Sequence, residues 1–230
     1  MLTRDALKNG DWLKRLAATA GGDAGIQSEE QLAASRTAAL EEHPPGENLW
    51  LFGYGSLIWN PAFHYSEQRI ARIGGYHRRF CLWTHMGRGS RDCPGLMLGL
   101  DRGGSCKGVA FRLTPEQIDE ELPLVWRREM VTAAYRARWL NGKVEGSERP
   151  VRMLAFTINR VHRQYACGLS TEDVVRSIAR AHGPLGHCCE YLFNTTEHLT
   201  SLGIHDHRLE YLCRQVRRLQ HEQESRQAGG

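Results

Sequence analysis

The chain has 230 residues, of which 24% are charged and 41% hydrophobic, and its formal net charge is +4. This composition is close to the globular average and excludes a chain that is disordered throughout, while the length suits one domain with or without an extension. The longest apolar runs are far shorter than the roughly 20 residues of a transmembrane helix. Because the first 25 residues hold no apolar segment of signal-peptide length, we expect a cytoplasmic protein.

The chain changes character after residue 48, and we therefore divide it into three parts. Residues 1–48 form an extension that is partly helical, since a capping box at residues 28–31 predicts a helix that ends before the HPPG sequence at 43–46. Residues 49–220 form the folded domain. Residues 221–230 form a polar tail.

The domain shows a mixed order of strand and helix patterns. We expect a strand at 49–52, one or two strands within 71–84, and a further group at 97–100, 108–113, 131–140 and 151–158. Turns are predicted at Asp101–Gly104 and at Asn141-Gly142. A helix is expected to start at Thr114, and Pro123 should kink this helix or end it early. Further helices are expected over 170–182, 190–202 and 209–219. This order favours an α+β barrel or sheet over a doubly wound fold.

Two glycines flank Tyr54 in the sequence FGYGSL at 52–57. Glycines let a backbone turn tightly and approach a ligand closely, and successive N–H groups in such a turn can hold a carboxylate or an oxyanion. An ordinary glycine turn at the end of a strand is the alternative. Neither a phosphate-binding loop nor a nucleophile elbow is indicated, because no GK[ST] follows and Ser56 precedes Leu57-Ile58.

Glu129 stands at the end of an apolar helix face, between Trp126 and Met130 in the order of the chain. In a dry pocket the pKa of this carboxyl would be raised, which suits a general base. The alternative is a solvated glutamate paired with Arg127 or Arg128, which is the more common environment of a charged residue.

Basic residues are concentrated at 69–112, where nine Arg and Lys stand against two Asp, a local charge of +7. Loop arginines in this stretch can clamp a carboxylate, so a site for a small anion is at least as well supported as nucleic-acid binding. No alternation of aromatic and basic residues of the RNA-binding type occurs, and we expect no nucleic-acid partner.

The histidines and cysteines do not stand at the spacings of a metal site. The sequence His205-Asp206-His207 is better interpreted as helix capping by Asp206, and the seven cysteines, with no CxxC pair, as reduced thiols. We therefore expect no metal.

Several segments together resemble the ChaC-type γ-glutamylcyclotransferases. They occur in the family's order and cover about residues 49–219: LWLFGYGSLIWNP, YHRRFCLW, GRGSRDCPGLMLGL, GVAFRL, WRREM and GPLGHCCEYLF. The resemblance implies a small mixed β-barrel with flanking helices, and a cytosolic enzyme that uses neither cofactor nor metal. It further implies cleavage of glutathione into 5-oxoproline and cysteinylglycine.

The resemblance also implies roles for individual residues. Glu129 becomes the catalytic carboxylate, and the backbone of Tyr54, Gly55, Ser56 and Leu57 becomes the loop that holds the γ-glutamyl group. The resemblance adds two candidates for the substrate-binding site, Glu120, a second carboxylate of the same helix, and Tyr191. Arg88 and Arg91 are our own candidates from the basic stretch, because they could hold the cysteinylglycine carboxylate. Two alternatives stay open: a cyclotransferase for other γ-glutamyl peptides or amines, and a binding module without catalysis.

Overall fold

A computed structural model describes residues 2–10, 12–13 and 25–228. Five strands close into a barrel in the order β1-β3-β2-β4-β5. The strands are β1 (Leu49–Gly53), β2 (Glu67–Thr84), β3 (Gly95–Leu113), β4 (Tyr135–Val144) and β5 (Val151–Ile158). Strands β1 to β4 pair with one another in antiparallel fashion, and β5 is antiparallel to β4. The barrel closes where β5 runs parallel to β1, with Leu154 opposite Leu51, and β5 also makes one parallel pair with β3. The predicted α+β class with a small mixed barrel is confirmed.

The predicted turn at residues 101–104 is wrong, because β3 runs through it as one strand of 19 residues. Along this stretch β3 pairs with β2, which places Arg102 opposite Tyr76 and Ser105 opposite Gly74. Gly103 and Gly104 lie between these pairs with φ of +104° and +69°. They form a β-bulge in a long bent ribbon, and a bulge uses the same glycine-rich sequence as a turn.

The predicted turn at Asn141-Gly142 is also wrong. β4 begins four residues later than expected, at Tyr135, and continues to Val144, so that Gly142 pairs with both Val151 and Ile73. A Cβ at Gly142 would lie 2.7 Å from the Arg72 carbonyl oxygen. The glycine is therefore needed for the close approach of β4 to β2. The chain reverses only after Val144, between β4 and β5.

The helices of the described residues are α1 (Arg4–Asn9), α2 (Glu29–Leu40), α3 (Ser56–Trp59), α4 (Pro115–Glu129), α5 (Thr171–Arg180), α6 (Cys188–Ser201) and α7 (His207–Ala228). A short hairpin of β6 (His182–Gly183) and β7 (Gly186–His187) joins α5 to α6. The predicted capping boxes that open α2 and α4 are both present. Among the described residues, no helix is both long and apolar enough to span a bilayer.

Helix α4 continues through Pro123 to Glu129, so the expectation of an early end is wrong. A proline inside a helix costs about 3 kcal/mol. The residues around it offset this cost, because Leu122, Val125 and Trp126 are buried and each large apolar side chain contributes about 1.5–3 kcal/mol. Trp126 packs edge-on against Phe156 of β5, with ring centroids 5.2 Å apart. The helix thereby delivers Glu129 to the barrel.

The extension packs against α4. Trp126 Nε1 donates to Ser35 Oγ of α2 at 2.9 Å, and Arg127 donates both to Glu29 of α2 and to the Leu7 carbonyl of α1. The carboxylate of Glu121 is buried and accepts two hydrogen bonds from Arg4 of α1. The helix that carries Glu129 is thus held on its outer side by residues of α1 and α2.

We expect Arg4→Met to lower the free energy of unfolding by about 2 kcal/mol at pH 7, because it leaves the buried Glu121 carboxylate without its cation. Burial alone would raise the pKa of Glu121, but Arg4 and the backbone N–H of His64 hold it below the ordinary value of 4.5. This stabilisation is present above pH 4.5 and is lost as the pH falls through the lowered pKa.

Urea unfolding of wild type and Arg4→Met at several pH values measures this difference. Lys8→Met is the matched control, since Lys8 is an exposed cation of the same helix. A stability difference that is as large in acid as at pH 7, or that is absent at pH 7, would contradict a stabilising ion pair between Arg4 and Glu121.

Candidate active site

A cavity of about 200 Å³ opens at one end of the barrel. Its walls come from the turn after β1, the end of α4, the facing ends of β2 and β3, and helix α6. Polar side chains of the lining include Trp12, Tyr54, Ser56, Arg88, Arg128, Glu129, Tyr135, Gln164 and Tyr191. Most of the remaining lining is apolar, as is typical of a small-molecule site.

The turn from β1 into α3 forms one wall, and all four residues predicted there, Tyr54 to Leu57, line the cavity. Gly55 is the residue that permits this packing, because a Cβ there would lie 2.9 Å from the Tyr191 hydroxyl. The Ile58 amide donates to the Gly55 carbonyl at 3.0 Å. The amides of Ser56 and Leu57, which precede it at the start of α3, have no acceptor within the helix, and both residues line the cavity.

Arg78 fixes this turn from behind. Its side chain is buried, its Nε donates to the Tyr54 carbonyl at 2.8 Å, and its Nη1 lies 2.9 Å from Asp206 Oδ2. An arginine in the basic stretch could have clamped a substrate carboxylate, but this guanidinium instead binds the protein's own backbone. It holds Tyr54 in place without lining the cavity.

Glu129 is the last residue of α4, and its side chain is 13% exposed at the cavity. Burial raises its pKa, and the charge of Arg128, whose Nε lies 3.2 Å from Oε1, opposes part of that rise. The two environments considered from the sequence thus both apply in part: the carboxylate is buried, and it is also paired. Arg127 does not take part, since it binds Glu29.

Arg128 is itself buried, with 8% of its side chain exposed. It donates to the carbonyl oxygens of Asn60 and Pro61, which fixes the guanidinium beside Glu129. Burial lowers its pKa from 12.5, and the charge of Glu129 opposes that shift. An arginine stays charged over the whole working range of pH, so the carboxylate has a permanent cationic neighbour.

Three tyrosines line the cavity with Glu129, of which Tyr54 and Tyr191 are buried and Tyr135 is half-buried. Tyr54 donates its hydroxyl to the Phe156 carbonyl at 2.8 Å, and Tyr135 donates to the Leu98 carbonyl at 2.7 Å. Burial, with a smaller effect of the charge of Glu129, raises the pKa values of Tyr54 and Tyr191 above 10. Burial is also the largest cause of the raised pKa of Tyr135. All three remain neutral hydroxyls at physiological pH.

Arg88 and Tyr191 line the cavity as expected, whereas Arg91 and Glu120 do not. Arg88 Nη1 donates to the His187 carbonyl at 2.7 Å and lies 3.1 Å from Glu190 Oε2. Arg91 is exposed in the loop before β3. The structure therefore does not bring Arg91 and Glu120 to the cavity with the other candidates.

Glu120 is exposed because of its position on α4. It precedes Glu129 by nine residues, which is about 2.5 helical turns and places the two side chains on opposite faces. The buried carboxylate in that part of the helix is the next residue, Glu121, and it binds Arg4.

A family model described as ChaC-like protein matches residues 49–219. The chain belongs to the ChaC-like family. The resemblance inferred from the motifs is thereby confirmed.

Several relatives of this ChaC-like chain have names that state an activity. The glutathione-specific γ-glutamylcyclotransferase of Escherichia coli is 39% identical over 219 residues, which cover 95% of this chain and 94% of that protein. The glutathione-specific γ-glutamylcyclotransferase 1 of Danio rerio is 35% identical over 65% of this chain and 78% of its own. The alignment with the E. coli protein therefore also includes most of the extension.

A solved structure from yeast shares the fold. The γ-glutamylcyclotransferase specific to glutathione superposes with a TM-score of 0.71 at 21% identity, over 76% of this chain and 98% of its own. This ChaC-like chain and the yeast protein therefore have the same fold.

The sequence interpretation missed several polar residues of the cavity of this ChaC-like chain, among them Arg128, Tyr135 and Gln164. Arg128 stands beside Glu129 in the WRREM motif, so adjacency to a proposed base was an available signal. Tyr135 carries no comparable signal, because it lies outside every motif and reaches the cavity through the register of β4.

The histidine-rich loop before α7 has a structural role. Asp206 Oδ1 accepts a hydrogen bond from the Leu209 amide at 3.1 Å, so the predicted cap is confirmed. His205 and His207 each lie 3.4 Å from a carboxylate oxygen of Glu210. In the part of the chain that the structure describes, no three His, Cys, Asp or Glu side chains converge as metal ligands would.

Proposed function

We propose that this ChaC-like chain cleaves glutathione into 5-oxoproline and cysteinylglycine, with Glu129 as the general base and acid. The observation that carries the proposal is the position of Glu129, whose side chain is only 13% exposed, in the same cavity as the glycine turn at Tyr54–Leu57. Its withdrawal from solvent raises the pKa of the carboxyl, as a general base requires. The names of the bacterial and vertebrate relatives support the same reaction and substrate.

The reaction is an intramolecular transfer. The α-amine of the γ-glutamyl group attacks its own side-chain amide carbonyl, a new C–N bond closes a five-membered ring, and the bond to the cysteine nitrogen breaks. Glu129 takes the proton of the attacking amine and returns it to the leaving nitrogen, so neither water nor an oxidant is consumed. Ring closure depends strongly on orientation, because it succeeds only when the amine is held against the carbonyl.

The walls of the cavity supply that orientation. The amides at the start of α3 bind the glutamyl carboxylate or the developing oxyanion, and Tyr191 closes the space beside Gly55. Arg88, at the mouth, is the remaining arginine candidate for the glycine carboxylate of the leaving dipeptide. Its guanidinium already pairs with Glu190, so it offers part of its hydrogen-bonding capacity to the substrate.

The pH profile of kcat/KM reports on the proposed base. Glu129 must be deprotonated to act, so activity falls as the pH drops through its pKa, and we expect that acid limb above 4.5 because burial raises the pKa. Arg128→Met removes the charge that lowers the pKa, and the limb should move to higher pH. Arg127→Met, the neighbouring arginine that pairs with Glu29, is the control and should leave the limb in place. A limb that moves to lower pH in Arg128→Met would exclude this assignment.

A substrate panel tests the reaction itself. Purified protein is incubated with glutathione and, separately, with γ-glutamylalanine, and 5-oxoproline is measured by mass spectrometry. We expect release from glutathione alone. Release from γ-glutamylalanine at a similar rate would make the chain a broader cyclotransferase, and binding of glutathione without release would make it a binding module.

We further propose that the protein works in the cytoplasm. All seven cysteines are free thiols, five of them buried, and thiols persist in a reducing compartment. The substrate is the only partner we propose, and the absence of a nucleic-acid partner stays a prediction from the sequence.

A further inference from the structure

Two buried polar atoms in the walls of the cavity have no hydrogen-bond partner. Among the residues that the structure describes, these are the indole Nε1 of Trp12 and the amide Oε1 of Gln164. Both residues line the cavity that holds Glu129. A buried polar group without a partner destabilises the folded chain, so such groups are few and require an explanation.

Each of the two residues is anchored to the wall of the cavity. Gln164 is 9% exposed, and its own backbone carbonyl accepts a hydrogen bond from the Trp83 amide at 2.8 Å. Trp12 packs on Met86, which follows the end of β2, and on Val131, two residues after Glu129. An indole N–H is a donor and an amide oxygen is an acceptor, so the cavity presents one unused group of each kind.

We propose that Trp12 and Gln164 form the subsite for the peptide group of the leaving dipeptide. The indole N–H donates to the cysteinyl carbonyl oxygen, and the amide oxygen accepts from the glycine N–H. This subsite rests on the proposed cleavage of glutathione and specifies which part of the substrate is recognised. Trp12 lies outside the residues that the family model matches, so the extension contributes to the choice of substrate.

The pair of groups distinguishes a dipeptide from a single amino acid. In γ-glutamylcysteine a carboxylate replaces the cysteinylglycine peptide bond, so no N–H faces Gln164, and a charged oxygen lies near its amide oxygen. A site that leaves a buried polar group unpaired discriminates strongly against the ligand that fails to pair it. Glutathione satisfies both groups at once.

The test compares kcat/KM for glutathione and γ-glutamylcysteine in wild type, Trp12→Phe and Gln164→Met. Gln164→Met loses the hydrogen bond to the glycine N–H, so we expect about a tenfold loss with glutathione, no loss with γ-glutamylcysteine, and a preference for glutathione that falls by about tenfold. Trp12→Phe loses a hydrogen bond to an oxygen that both compounds carry, so we expect about a tenfold loss with each of them. Trp139→Phe is the matched control, because its indole N–H already donates to the Ala39 carbonyl and it does not line the cavity.

The melting temperature of the substrate-free protein is a second readout. Gln164→Met removes an unpaired buried oxygen while nearly keeping the shape of the side chain, so Tm should stay the same or rise. A merely structural glutamine would instead lower Tm when replaced.

The outcomes separate the two proposals. Wild-type turnover with an unchanged substrate preference in both variants overturns the subsite and leaves the reaction standing. If wild type releases 5-oxoproline from neither compound, the proposed reaction fails and the subsite fails with it.

Discussion

Glu129→Gln is expected to lower kcat for 5-oxoproline release from glutathione by at least about 100-fold, with a modest change in KM. The amide keeps the shape of the carboxyl, but it can neither take the proton of the attacking amine nor return it to the leaving nitrogen. Steady-state kinetics with quantification of 5-oxoproline by mass spectrometry measures the effect.

Two comparisons make this result specific to the role of Glu129. Glu116→Gln changes an exposed glutamate in the first turn of the same helix and should retain wild-type turnover. Binding of S-methylglutathione, measured by calorimetry, should persist in Glu129→Gln, because the glutamyl group is held by the turn at Tyr54–Leu57. Turnover near wild type in Glu129→Gln would remove this residue from the mechanism.

Gly55→Ala is expected to lower kcat/KM by about 100-fold without unfolding the protein. The new Cβ would lie 2.9 Å from the Tyr191 hydroxyl, so either the turn or the tyrosine must move. Overpacking of this kind costs about 1–3 kcal/mol, and a displacement of about 1 Å near reacting atoms can reduce a rate by about 100-fold. Circular dichroism establishes that the barrel persists, and kinetics measures the loss.

A second glycine and a double variant separate the close approach from other effects. Gly74→Ala adds a methyl group with no atom within 4 Å and should leave the activity unchanged. Gly55→Ala combined with Tyr191→Phe removes the oxygen that the methyl group meets, so the second change should cost less activity in this background than alone. Additive losses would show that the two residues do not interact in this way.

The sequence is informative where the determinant is local. The capping boxes of α2 and α4 each need only residues within four consecutive positions, and both are present where predicted. The motif around Gly55 likewise combines a glycine turn and a helix start within a few residues, and the structure places all four of its candidates at the cavity.

The sequence is uninformative where the determinant lies on another strand. Gly103-Gly104 and Asn141-Gly142 have the composition of hairpin turns, yet a bulge and a close strand approach use the same residues. Which of these forms depends on the partner strand, and no local pattern encodes that partner. Pro123 does not end its helix for a related reason. The apolar burial that offsets the cost of the proline comes from packing on the barrel, which the local sequence does not encode.

The composition of the site shows the same division. Glu129 could be proposed from its motif, but its burial, and hence its raised pKa, depends on how α4 packs on β5. Arg91 was expected at the site because its loop is basic, but a high density of charge does not show which of the side chains point toward the cavity. Trp12 could not be anticipated at all, since nothing in the extension indicates that it reaches a cavity in the barrel.

The most direct test of the proposed reaction follows oxygen from the solvent. Wild-type protein is incubated with glutathione in water enriched in oxygen-18, and the products are examined by mass spectrometry. Cyclisation predicts 5-oxoproline and cysteinylglycine in equal amounts, with no oxygen-18 in either, because the attacking group is the substrate's own amine. Glutamate carrying one atom of oxygen-18 would show hydrolysis of the γ-amide instead, and would contradict the proposed role of Glu129 in ring closure.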